Sequence, residues 1–158
     1  MDLAALRYPV GEFDAAMSFT GATRKAAIDR IAALPAELRA AVNGLNDSQL
    51  DTPYRPQGWT VRQVVHHLAD SHMNGLTRTK LALTESNPTI KPYDENAWAA
   101  LGDMRLPIDL SLGIIDGIND NLVPTGGRAF FGPRHEQLVF ACLVEHSHRL
   151  VRRLVALG

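Results

Sequence analysis

The chain holds a single cysteine, Cys142, so no disulfide can close within it and nothing in it speaks for an oxidising compartment. Neither sign of charge is in excess. Sixteen Lys and Arg against 17 Asp and Glu give a formal −1, which leaves no field to gather nucleic acid or anionic lipid. No run approaches the roughly 18 apolar residues of a membrane span, and the opening MDLAALRYPVGEFD lacks the basic and then apolar stretches of a secretory signal. These absences favour a cytoplasmic protein with no nucleic-acid and no membrane partner. Period-two alternation never lasts beyond a few residues, which excludes a sheet protein, and no repeat or second compositional regime divides the chain. HExxH, CxxC and Gly-rich phosphate loops are also missing, and with them the most compact local signatures of catalysis.

What is present reads as one globular domain over residues 1–158: 46% of the residues are apolar and 21% charged. After an arm with Tyr8-Pro9 and Gly11, the Ala-, Leu- and Arg-rich stretch from about Ser18 predicts a first helix. Pro35 kinks or resets it, and Asn43-Gly44 stops it. NDSQLDTPYRPQG is a loop. Thr60 with Gln63 three residues on is a capping-box pattern, and TVRQVVHHLADSHMNGLTRTKLALTES keeps helical periodicity for more than six turns. On that helix Val61, Val64, Val65, Leu68, Leu76 and Leu83 form an apolar stripe with His72 on it. His67 lies just outside its edge, and His66 and Asp70 face more nearly outward. A Pro-rich loop then leads into a short turn capped by Asp94. Pro107 opens a third long helix that ends by Pro124, and PTGGRAFFGPR is a loop. The last helix starts near His135, with Val139, Phe140, Leu143, Leu150, Val151 and Leu154 on its apolar face. Arg149, Arg152 and Arg153 suit the negative end of its dipole. Four principal helices joined by long loops predict an all-α four-helix bundle with its site among facing helices.

Six histidines in a chain of this size prompt a search for ligands, because imidazole is the commonest transition-metal ligand and titrates near neutrality. His66 and His67 stand about 100° apart around the helix axis, so one of them at most reaches a given ion. His146 and His148 are about 200° apart and cannot share one. Helix geometry thus leaves one of His66 and His67 from one helix and one of His146 and His148 from another as the candidates for any chemistry. The alternative is that all of these are packing and hydrogen-bonding residues.

The stretch DTPYRPQGWTVRQVVHHLADSHMN, followed by KLALTESNPTIKPYDENAW, resembles the YfiT-like branch of the DinB superfamily, whose members are named metal-dependent hydrolases. The likeness includes Tyr8-Pro9 with Gly11, Gly58-Trp59-Thr60, the His66-His67 pair, Asp70-Ser71-His72 and Asn87-Pro88. The resemblance implies a four-helix bundle, usually a homodimer, in which three histidines hold one divalent metal, nickel or zinc, for work on a small-molecule substrate. The first ligand matches His67. The other two come from an H-x-x-x-H on the last helix, whose first position matches His146 and whose second falls on Leu150. A catalytic site of this kind commonly needs three protein ligands and an open position. The resemblance therefore leaves a place that Cys142, one turn before His146, or His135 can fill. It implies hydrolysis by an activated water. The alternatives are transfer of a thiol on the same scaffold, or a metal-free binding or scaffold protein.

Overall fold

The computed structural model describes residues 20–129, 144, 146–152 and 154–155. The N-terminal arm and both candidate replacement ligands, His135 and Cys142, lie outside the described residues. Among those described there is no strand, only an isolated antiparallel bridge between Pro53 and Thr60. No helix is long and apolar enough to cross a membrane.

Helix α1 spans Gly21–Val42 and starts where Thr20 and Thr23 cap each other reciprocally. It ends before Gly44, whose φ of +75° suits a residue without a Cβ. Pro35 sits inside α1 without stopping it. The predicted capping box of Thr60 and Gln63 is present: the Gln63 amide donates to Thr60 Oγ1 at 3.1 Å and the Thr60 amide to Gln63 Oε1 at 2.8 Å. It opens α3, Val61–Thr84, the longest element among the described residues, after a single turn α2, Asp47–Leu50, that lies inside the stretch expected to be a loop. The loop after α3 leads into α4, Glu95–Ala99, capped by Asp94 as expected, and then a 3₁₀ turn, Gly102–Arg105. Helix α5, Ile108–Ala129, begins directly after Pro107. It runs through Pro124 and past the expected end. Proline removes only its own amide from the ladder, and a helix continues beyond it where the flanking turns hold, as α1 also does.

Helix α3 packs chiefly on α5, and α5 on α1. The described residues of 144–155 are helical and supply the fourth side of the bundle. Its Leu150, Val151 and Leu154 join Leu34, Leu38, Val64, Leu68 and Ile115 in the larger apolar cluster, while Val144 joins Ile31 and Leu122 in a smaller one. The four-helix bundle read from the sequence is the fold of the protein.

Arg62 ties α2 to α3 from a buried position. Its Nε donates to Asp51 at 2.6 Å, one terminal nitrogen to Asp47 at 2.7 Å and the other to the Leu106 carbonyl at 3.3 Å. Both aspartates are well exposed and can return to water, and His66 still donates to Leu106. Arg62→Ala is therefore expected to lower the unfolding free energy by only about 1–3 kcal/mol, read by urea denaturation.

Candidate metal centre

His66 and His67 diverge, as their angular separation requires, but not in the way the sequence predicts for His66. Rather than facing outward, His66 is buried at 6% exposure against the 3₁₀ turn and the start of α5. Its Nε2 donates to the Leu106 carbonyl at 3.0 Å, so its Nδ1 accepts from Ser111 at 2.7 Å. Burial lowers its pKa, with Arg62 adding to the effect and the Leu106 bond and Asp103 opposing it. Both nitrogens are committed, and His66 is structural. The signal missed is the polypeptide laid across that flank of α3, which helical periodicity does not register.

His67 is 1% exposed and points the other way. Its Nε2 lies 2.8 Å from Nε2 of His146 on the C-terminal segment. Trp59 meets its ring edge-on at 4.7 Å between centroids, and Tyr93 stands at 6.4 Å. Burial pushes its pKa down to about 3, and His146 pushes the same way. His67 is thus a neutral imidazole, which is the form that binds metals.

The third group at this place is Glu95, which the sequence reading does not single out. Its carboxylate and one nitrogen of each of His67 and His146 all lie within 4.8 Å of one another. Its position follows from the way α4 is pinned over α3. Asp94 caps the Ala97 amide at 2.9 Å, the Trp59 indole donates to Asn96 at 3.2 Å, and Gln63 donates to the Ala99 carbonyl at 2.8 Å. Glu95 keeps contact with solvent, yet partial desolvation raises its pKa, and Arg78 opposes the shift.

Around this trio the groups differ in their protons. Burial first, then Glu95 and Asp70, push the Tyr93 phenol up to about 12, so it remains a donor at neutral pH. Trp98 backs its ring at 4.4 Å. Asp70, one turn along α3 from His67, is pushed up to about 6 by burial and by Asp103. Its Oδ2 is buried without a hydrogen-bond partner among the described residues.

Leu150, the position to which the resemblance assigns a third histidine, is 4% exposed and part of the apolar core. His148, two residues from His146, lines instead a groove of about 420 Å³ with Glu37 and Arg152. The sequence pattern had already separated these two.

Two imidazoles and a carboxylate form a donor set used by catalytic zinc sites. Two nitrogens bound tetrahedrally at 2.0–2.1 Å stand roughly 3.3 Å apart. The 2.8 Å pair therefore needs to open by only about half an ångström to receive an ion. The residues fit a divalent metal.

Comparison with known proteins points the same way. The DinB superfamily profile matches residues 30–138. Proteins named "Putative metal-dependent hydrolase" from Bacillus cereus strain B4264 and Bacillus mycoides strain KBAB4 are 53% and 52% identical over 118 residues. In each case the match covers 75% of this chain and 68% of the relative. Among solved structures, the chain superimposes with a TM-score of 0.86 and 36% identity on YfiT from Bacillus subtilis, described as a probable metal-dependent hydrolase with an unusual four-helix bundle topology. That match covers 97% of this chain and 95% of the other.

Proposed function

Because the chain belongs to the DinB superfamily, we propose that it is a metal-dependent hydrolase of a small molecule, with zinc or nickel held by His67, His146 and Glu95. The observation that carries this reading is the convergence of those three donors from α3, the C-terminal segment and α4. Bound there, a divalent ion supplies Lewis acidity and brings the ionisation of water close to neutral pH.

The chain's own residues do the rest. Trp59 and Tyr93 flank the His67 ring, and the rings shield that side from bulk water. The Tyr93 hydroxyl, protonated throughout the physiological range, is a donor for an oxygen on which charge develops. Asp70, one turn along α3 from His67, is pushed up to about 6 by burial and is ionised at neutral pH. Glu95 takes the role that the resemblance gives to a third histidine, since Leu150 is turned into the core.

The test is reconstitution. After exposure to zinc or nickel and removal of excess, elemental analysis should find one equivalent per chain. Hydrolysis of a panel of small esters, amides and phosphoesters should stop with a chelator and return with the metal. Glu95→Gln keeps the shape of an exposed residue, so it should fold normally and bind the metal about 10- to 100-fold more weakly. Less than a tenth of an equivalent on the wild type would reject the reading.

A further inference from the structure

His72 lies on the apolar stripe of α3 yet is fully buried, as is Ser147, and Asn119 is nearly so. The three meet where the two apolar clusters of the bundle adjoin. A buried polar layer of this kind is costly unless each member is satisfied, and here the satisfaction runs in one direction.

It begins at Pro35. Without an amide hydrogen, Pro35 leaves the Ile31 carbonyl of α1 short of its helical partner. Asn119 Nδ2 donates to that carbonyl at 2.5 Å, which settles the orientation of the Asn119 amide. Its Oδ1, an acceptor only, then faces His72 Nδ1 at 2.8 Å, so His72 carries its proton on Nδ1. The remaining nitrogen, Nε2, accepts from the Ser147 hydroxyl at 2.9 Å. Ser147 is the residue after His146. Four helices are thus joined in a fixed sense, Pro35 and Ile31 to Asn119, to His72, to Ser147.

Apolar packing holds the helix carrying His146 in the core, but its contacts are not directional. The Ser147 bond is directional. We infer that His72 is a positioning residue that sets the rotation of the C-terminal helix through Ser147 and so holds His146 against His67. The inference rests on the metal-site reading for its consequence in binding, but not for the geometry it claims.

The experiment uses His72→Gln, His72→Asn and Ser147→Ala in the full chain at pH 7.5. A Gln amide reaches about as far as Nε2 and can keep Ser147, whereas an Asn amide matches Nδ1 and keeps only Asn119. Ser147→Ala deletes one oxygen and is expected to fold. Two readouts are taken. In metal-free protein, imidazole ¹⁵N spectra report whether His67 and His146 remain hydrogen-bonded. Absorption titration with cobalt(II) reports affinity.

The pairing should persist in the wild type and His72→Gln and be lost in His72→Asn and Ser147→Ala. Cobalt affinity should stay near wild type in His72→Gln and fall about 10- to 100-fold in the other two. Thermal stability should fall in all three, so stability alone does not sort them. Wild-type pairing and affinity in Ser147→Ala, or a His72→Gln as impaired as His72→Asn, would overturn the inference. If the wild type takes no cobalt but the imidazole spectra sort as expected, the metal site is rejected and the positioning of His146 stands.

Discussion

Replacing His67 with alanine is expected to reduce zinc or nickel affinity by a hundredfold or more, on the order of 3 kcal/mol or above, and to remove metal-dependent hydrolysis with it. The size follows from where His67 stands. It stands on α3, a long helix opened by a capping box, and it is held on one side by Trp59 and on another by His146. Removing it leaves one imidazole and one exposed carboxylate, a set with little claim on a borderline metal. The same change has a second, opposite-looking consequence. The metal-free protein buries an imidazole that ionises in the unfolded chain near 6.5 but in the fold only near 3. The alanine variant therefore loses packing at neutral pH yet tolerates acid better, relative to its own neutral stability, than the wild type. Isothermal titration for the metal and urea denaturation at two pH values separate the two effects. Unchanged affinity in a folded His67→Ala protein would remove this residue from the site.

Acid sensitivity of the metal-free protein is the second large effect. Burial holds His72 at about 4 in the fold, with the Asn119 bond opposing and His146 assisting, against 6.5 in the unfolded chain. Above pH 6.5 the imidazole is neutral in both states and contributes no pH dependence. Between 6.5 and 4 the unfolded chain binds a proton that the folded one refuses, so stability falls as pH falls, by about 1.4 kcal/mol per unit. His72 alone accounts for roughly 3 kcal/mol across that window, and His67 adds to the loss in the same direction. Asp70 works the other way. Its carboxyl is raised to about 6, so its protonation between 6 and 4 favours the fold, but it is only half-buried and solvent reduces its share. The net expectation is a urea midpoint that is flat above pH 7 and drops steeply below 6.5, with a shallower drop in His72→Gln. A midpoint unchanged down to pH 5 would show that the buried histidines titrate normally.

Much of this was legible in the sequence because the relevant physics is local. Thr60 and Gln63 announce the start of α3 through hydrogen bonds that span three residues, Asp94 announces α4, and Gly44 marks the end of α1. The angular arithmetic of a regular helix parts His66 from His67 and His146 from His148. Glu95 was not legible. It reaches His67 only because Gln63, Trp59 and the Asp94 cap fasten a short helix across α3, and no spacing along the chain encodes a contact between two elements joined by a loop. The burial of His66 is hidden from the sequence for the same reason, since its cover is the Leu106 carbonyl and Ser111 from beyond that loop. The polar layer lies between these cases. His72 on an apolar stripe is visible as an anomaly, but its meaning depends on Asn119 and Ser147 falling at the same height in two other helices. The sequence places Leu150 on the apolar face of the last helix, where the resemblance expects a ligand. In the fold it is a core residue of the same apolar cluster as Leu68 and Ile115, and the third group beside His67 and His146 is Glu95.

The central claim is that His67, His146 and Glu95 bind one divalent ion between them. Crystals of the protein equilibrated with zinc or nickel, measured above and below the metal's absorption edge, test it most directly. One strong anomalous peak per chain is expected, within bonding distance of the two Nε2 atoms and of a Glu95 carboxylate oxygen. A map without a peak there at full metal loading, or with its peak on other residues, would contradict it.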